Sequence, residues 1–184
     1  MALLALLAAC GGGKGTDDAV SSGDTSPTGP AAVSVYSAAA ASRFLAQASF
    51  GPTSAEISRV QAMSYSAWID EQFAKPQALH RDALNLAAAD LAATGQMVSP
   101  SNFYDSYWAQ AVGGPDQLRQ RAAFALSQIF VISFNNDTLR AQPRGVASYY
   151  DMLGANAFGN FRDLLESVAL HPMMGVYLSH LKNQ

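Results

Sequence analysis

The chain has 184 residues, 49% of them hydrophobic and only 14% charged, which is enough apolar material for one domain with a sizeable core. A net charge of −3 provides no basic face, which excludes the electrostatic footprint of a nucleic-acid binder. One cysteine excludes an internal disulfide and a cysteine-based zinc site, and no apolar run reaches the roughly 18–20 residues of a membrane-spanning helix.

The first residues, "MALLALLAACGGG", form an apolar run ending in Leu7, Ala8, Ala9 and Cys10. This ending resembles the lipobox of bacterial lipoproteins, in which the cysteine becomes the lipidated first residue of the mature chain. No Lys or Arg precedes the run, so the basic start of a signal peptide is missing. The resemblance implies a signal segment over 1–10, lipidation of Cys10 and a membrane contact through that lipid. Gly11 after the cysteine, in place of Asp, points to the periplasmic side of the outer membrane or the cell surface. Residues 11–36 are rich in Gly, Ser, Thr, Asp and Pro and bury almost nothing, the composition of a disordered tether with a mean reach of roughly 25 Å.

From residue 37 the pattern is helical. "SAAAASRFLAQASF" is Ala-rich with a Phe44, Leu45 and Ala48 stripe, and Gly51-Pro52 ends it. Thr53 and Glu56 have the spacing of a capping box for a short helix through Ile57 and Val60. Tyr65, Trp68, Ile69, Gln72 and Phe73 share one helix face, stopped at Lys75-Pro76. Residues 77–94 read as an Ala/Leu helix closing at Gly95.

Ser101 is the expected cap of a helix whose Phe103, Tyr104, Tyr107, Trp108 and Ala111 share a face up to Gly113-Gly114. Pro115 suits a first helical position for a helix over roughly 115–132. Its "AAFALSQIFVI" is apolar all round and so expected at the centre of a core, with a strand left open for its β-branched end. "SFNNDTLRAQPRG" reads as a polar loop. A helix through Val146, Tyr149, Tyr150 and Leu153 follows, then Asn160 caps "FRDLLESVAL" with Asp163 at the third position. His171-Pro172 breaks that helix, and "MMGVYLSHL" forms the last one. The expected fold is all-α, a bundle-like array of seven or eight short helices over 37–184.

Chemistry has few footholds. There is no Gly-rich phosphate loop, no His-Glu-x-x-His and no Gly-x-Ser-x-Gly. His171 and His180 are nine residues apart, on opposite sides of a helix and across Pro172, so they do not form a metal pair. Capping or surface exposure is the plain reading of each. Asp163 and Glu166 share a face, with Arg162 placed for an ion pair with Glu166 of about 0.3–0.5 kcal/mol; the sharper reading makes them a carboxylate pair awaiting a third ligand. Arg121 stands where its helix turns apolar, and a carboxylate such as Asp151 or Asp163 is its expected partner. Tyr149, Tyr150 and Asp151, and the Tyr107/Trp108 pair, read either as core aromatics or as a platform that stacks on a sugar or other ligand.

Three stretches in order, "RFLAQASFGPTSAEISRV…YSAWIDEQF", "RQRAAFALSQIFVIS" and "GNFRDLLESVALHPMMGVYLSHLKNQ", resemble the bacterial proteins grouped as domain of unknown function 1800 (DUF1800). The resemblance covers residues 38–184 and implies an all-helical exported protein, with a DUF1501-type exported protein as possible partner. Members of that group continue past the position of "HLKNQ" into a segment rich in Asn, Glu and Arg, so the resemblance makes this sequence an N-terminal fragment. Many also carry Trp-His-Asn-His-Phe where Leu126, Ser127, Gln128, Ile129 and Phe130 stand here. Both histidines are replaced, so a metal held by such a pair is not expected in this chain. Two function classes follow: a binding or assembly module at the cell envelope, or a hydrolase or metal-dependent enzyme to which Arg121, Asp163, Glu166 and His171 contribute part of a site.

Overall fold

The computed structural model describes residues 36–180, which are helical with no strand among them. Cys10, the expected signal segment over 1–10 and all but the last residue of the expected tether over 11–36 lie outside the described residues. Ten helices follow in order: α1 Ala38–Ala48, α2 Ser54–Ala62, α3 Tyr65–Ala74, α4 His80–Ala92, α5 Pro100–Gly113, α6 Gln117–Ser127, α7 Asp137–Arg140, α8 Pro143–Ala155, α9 Phe161–Leu170 and α10 Pro172–Tyr177. None is long and apolar enough to cross a membrane.

Local chemistry sets most boundaries. Thr53 accepts the Glu56 N–H at 3.2 Å, and Ser37 and Ser64 cap α1 and α3 in the same way. Asn160 accepts the Arg162 N–H at 2.8 Å to open α9. Gly95 takes φ +69 just after α4, the left-handed conformation that costs glycine nothing. Pro occupies the first position of α5, α8 and α10, where a missing N–H is harmless.

Several boundaries differ from the sequence reading. The cap of α5 is Ser99, whose backbone N–H donates to Asn102 Oδ1 at 2.9 Å, because Pro100 rather than Ser101 takes the first helical position. The sixth helix starts at Gln117 and ends at Ser127; residues 128–130 form a turn and 131–132 have no regular structure, with Ile129 and Val131 exposed rather than central. Part of the expected polar loop is α7, opened by Asn136 Oδ1 accepting from Thr138 and Leu139 N–H.

Burial divides the apolar residues into two clusters. Ala41, Leu45, Ala48, Val60 and Trp68 pack together from α1, α2 and α3, with Leu118 of α6 against them. Tyr36 stacks on Tyr65 at 3.9 Å, which extends this cluster to the first described residue. Trp68 donates its indole N–H to Glu56 Oε2 at 3.0 Å, so its polar edge is satisfied inside the cluster. The larger cluster is centred on α8, whose Val146, Ala147, Tyr149 and Leu153 are buried against Leu84, Phe103, Ala123, Leu164, Val168, Met173 and Met174. Helix α6 packs on α1, α3, α5 and α8 and so joins the two.

Candidate functional site

Residues 103–108 of α5 and 121–124 of α6 form two walls of an aromatic pocket. The face expected along α5 is only partly core: Phe103 and Ala111 are buried, while Tyr104 is 49% and Trp108 60% exposed. Those two rings line a cavity of about 390 Å³ together with Phe50, Phe103, Tyr107, Arg121, Phe124 and Tyr150. Volumes of roughly 300–1,000 Å³ are usual for small-molecule sites. The rings meet edge to face, with Phe103 and Tyr150 centroids 4.9 Å apart, Tyr107 and Trp108 5.3 Å, and Phe50 and Phe124 5.9 Å.

Gln117 fixes this arrangement. Its Oε1 accepts the Phe50 backbone N–H at 3.3 Å, which holds the α1–α2 connection over the pocket. Its Nε2 donates to the carbonyls of Gln110, Ala111 and Gly114 at 3.1, 3.3 and 2.9 Å, which ties the end of α5 to the start of α6. No sequence pattern marked Gln117, since a glutamine after Pro-Asp carries no motif.

Arg121 does not find the carboxylate expected of it. Among the described residues it makes no ion pair, and its guanidinium carbon lies 5.6 Å from the ring centres of both Phe50 and Phe124. This is cation–π geometry, which steadies the side chain without neutralising it. Arg121 also borders a second hollow, of about 570 Å³, on the side of Gln47, Leu118 and Gln128.

Behind the pocket lies a buried polar layer. His80 is buried 5.5 Å from the Phe103 ring and 6.2 Å from Tyr107, with its Nδ1 3.0 Å from Ser106 Oγ. Burial pushes its pKa down to about 4, so the ring is neutral at pH 7, with Asp116 opposing that shift. Asp116 is fully buried: Oδ2 accepts from the Ala78 N–H and from Gln120 Nε2, while Oδ1 has no partner among the described residues. Asp151, proposed as Arg121's partner, instead accepts the His80 and Arg81 N–H groups. Burial pushes its carboxyl up to about 6, outweighing those two hydrogen bonds. The Ser106–His80 contact has the length of a nucleophile–base pair, but Ser106 is buried and does not line the pocket, so it serves packing. Burial holds the Tyr107 and Tyr150 hydroxyls above the usual phenol range, so both stay protonated donors.

The four enzyme candidates are not brought together. Only Arg121 belongs to the pocket. Asp163 and Glu166 are exposed on α9 and make no hydrogen bond or ion pair with Arg121 or His171. His171 ends α9 and caps α10, its Nδ1 accepting the Met173 N–H at 3.2 Å and its ring 5.1 Å from Tyr149. His180 is exposed beyond α10. No group of three metal-ligating side chains occurs among the described residues.

A protein-family model described as a protein of unknown function (DUF1800) matches residues 43–184. Neither the curated proteins nor the solved structures give a match.

Proposed function

Since the chain belongs to the DUF1800 family, we propose that it is a ligand-binding module of the cell envelope, held there by a lipid on Cys10 and acting with an exported partner protein. The aromatic pocket between α5 and α6 carries the binding part of this reading. Seven aromatic side chains converge there on a concave surface, and a hydrogen-bonded glutamine holds its walls in place. A pocket preformed in this way binds without spending free energy on ordering loops.

The envelope part is supported by the Leu-Ala-Ala-Cys sequence and the tether-like composition that follows it. Cells fed a palmitate analogue should tag the protein, and Cys10→Ser should abolish the tag; continued tagging of the serine variant would remove the anchor from the proposal.

The binding part has a built-in reporter. Of the chain's two tryptophans, Trp108 lines the pocket and Trp68 is buried in the other cluster. Titration with neutral aromatic compounds such as benzamide should shift or quench Trp108 emission saturably. A Trp108→Phe protein should lose that signal while retaining its melting temperature. An emission spectrum unmoved by any aromatic compound, with no change in melting temperature, would count against a binding role.

A further inference from the structure

We infer that the pocket selects small carboxylates carried on a flat apolar body, with Arg121 as the anchor of the acid. This rests on the binding role proposed above and specifies its ligand. The residues that line the cavity carry as polar side-chain groups the Arg121 guanidinium, the Trp108 indole N–H and the hydroxyls of Tyr104, Tyr107 and Tyr150. No carboxylate and no side-chain amide lines it. Guanidinium and indole only donate hydrogen bonds, and a protonated phenol offers its proton to any strong acceptor. A hydroxyl-rich neutral sugar needs acceptors as well as donors, and this wall supplies few. An anion needs donors alone.

The rest of the wall is aromatic carbon: Phe50, Phe103 and Phe124, with the faces and edges of the tyrosines and Trp108. Such a surface takes a ring or a flat chain by offset or edge contact. Arg121 lies 5.6 Å from both the Phe50 and the Phe124 ring centres, with no carboxylate partner among the described residues. Stacked on those rings it keeps its planar fork free for two parallel N–H···O bonds to one carboxylate. Charge and shape therefore specify both ends of the ligand: an acid head at Arg121, an apolar body among the α5 rings.

The test compares 3-phenylpropionate with its amide, 3-phenylpropanamide, on the full chain by calorimetry and Trp108 emission. The acid should bind about tenfold tighter than the amide, as expected for a charge-assisted hydrogen bond against a neutral one. Arg121→Met should abolish that difference, and Arg121→Lys should retain part of it. The acid–amide comparison on the unaltered protein needs no variant, so misfolding of a variant does not blunt it. A Gly-Gly-Phe peptide with a free carboxylate separates two sources of the same head group. Binding as tight as that of 3-phenylpropionate assigns the acid to a polypeptide terminus, weaker binding assigns it to a free small acid, and both support the class. Equal affinity for acid and amide overturns the carboxylate assignment while leaving a binding pocket. Binding of neither overturns the pocket's role altogether.

Discussion

Asp151 holds the first turn of α4 from 71 residues further along the chain: its Oδ1 accepts the His80 backbone N–H at 2.7 Å, and its Oδ2 the Arg81 N–H at 2.9 Å. One residue thus has its backbone bound by an acid whose own titration is shifted, while its ring is shifted in the opposite sense. The His80 ring is pushed down to about 4 from 6.5, so it supplies stability above the unfolded value that is lost as pH falls toward 4. The Asp151 carboxyl is pushed up to about 6 from 3.8, so its stabilisation is present at low pH and lost as pH rises through 6. Between pH 4 and 6 the two oppose each other. Asp151→Asn removes one side of the balance. Urea midpoints taken from pH 4 to 7 should then fall more steeply on acidification than those of the unaltered protein; parallel curves would refute the pairing.

Neighbouring glycines predict opposite outcomes. A Cβ on Gly113 would meet nothing within 4 Å, so Gly113→Ala at the end of α5 should leave the melting temperature unchanged or raise it, by up to about 1 kcal/mol of helix propensity. A Cβ on Gly114 would collide with the backbone carbonyl of Gln110, which cannot rotate away. Gly114→Ala should cost about 1–3 kcal/mol. Calorimetry of the two single variants settles the contrast.

Tyr149 is fully buried and its hydroxyl donates to the Phe130 carbonyl at 2.8 Å, which pins the turn after α6 to the central helix. Tyr149→Phe leaves that carbonyl without its partner and should cost about 1 kcal/mol. Chemical denaturation at pH 7 measures it. An unchanged midpoint would mean that water replaces the hydroxyl.

Gln117→Ala removes the acceptor for Phe50 and the donor to three carbonyls at the α5–α6 corner. A loss of about 1–3 kcal/mol is expected, because buried backbone groups are left unmade. The same substitution should weaken binding of aromatic probes, since Phe50 is no longer held over the pocket. Loss of stability without loss of binding would confine Gln117 to a structural role.

Those contacts explain which features were legible in the sequence. Local chemistry was: the Thr53 cap, the Asn160 cap, the Lys75-Pro76 stop and the His171-Pro172 break involve residues within four positions of each other, and the all-α class follows from them. Ser99 was missed in favour of Ser101 because both precede the same apolar face, and only Pro100 distinguishes them. The expected start of α4 near residue 77 moved to His80 because Ala78 and His80 donate to Asp116 and Asp151, acids 38 and 71 residues away. Arg121 was expected to need a carboxylate, but its position between two phenylalanines on different elements depends on tertiary packing. The aromatic stripe of α5 was legible as a stripe. Which of its rings face a cavity was not, because helical periodicity does not distinguish a core neighbour from an empty one.

The division of the apolar residues into two clusters joined through α6 has a dynamic consequence. Units with separate cores open separately, and each opening costs less than unfolding the whole. Amides of α1, α2 and α3 should therefore exchange with deuterium before those of α8, through a partial opening that leaves the larger cluster intact. Phe50 lies two residues past the end of α1, so that opening also removes one wall of the pocket. Occupancy and N-terminal docking are then linked thermodynamically: a bound ligand should slow exchange in α1–α3, helices that supply no other residue to its site.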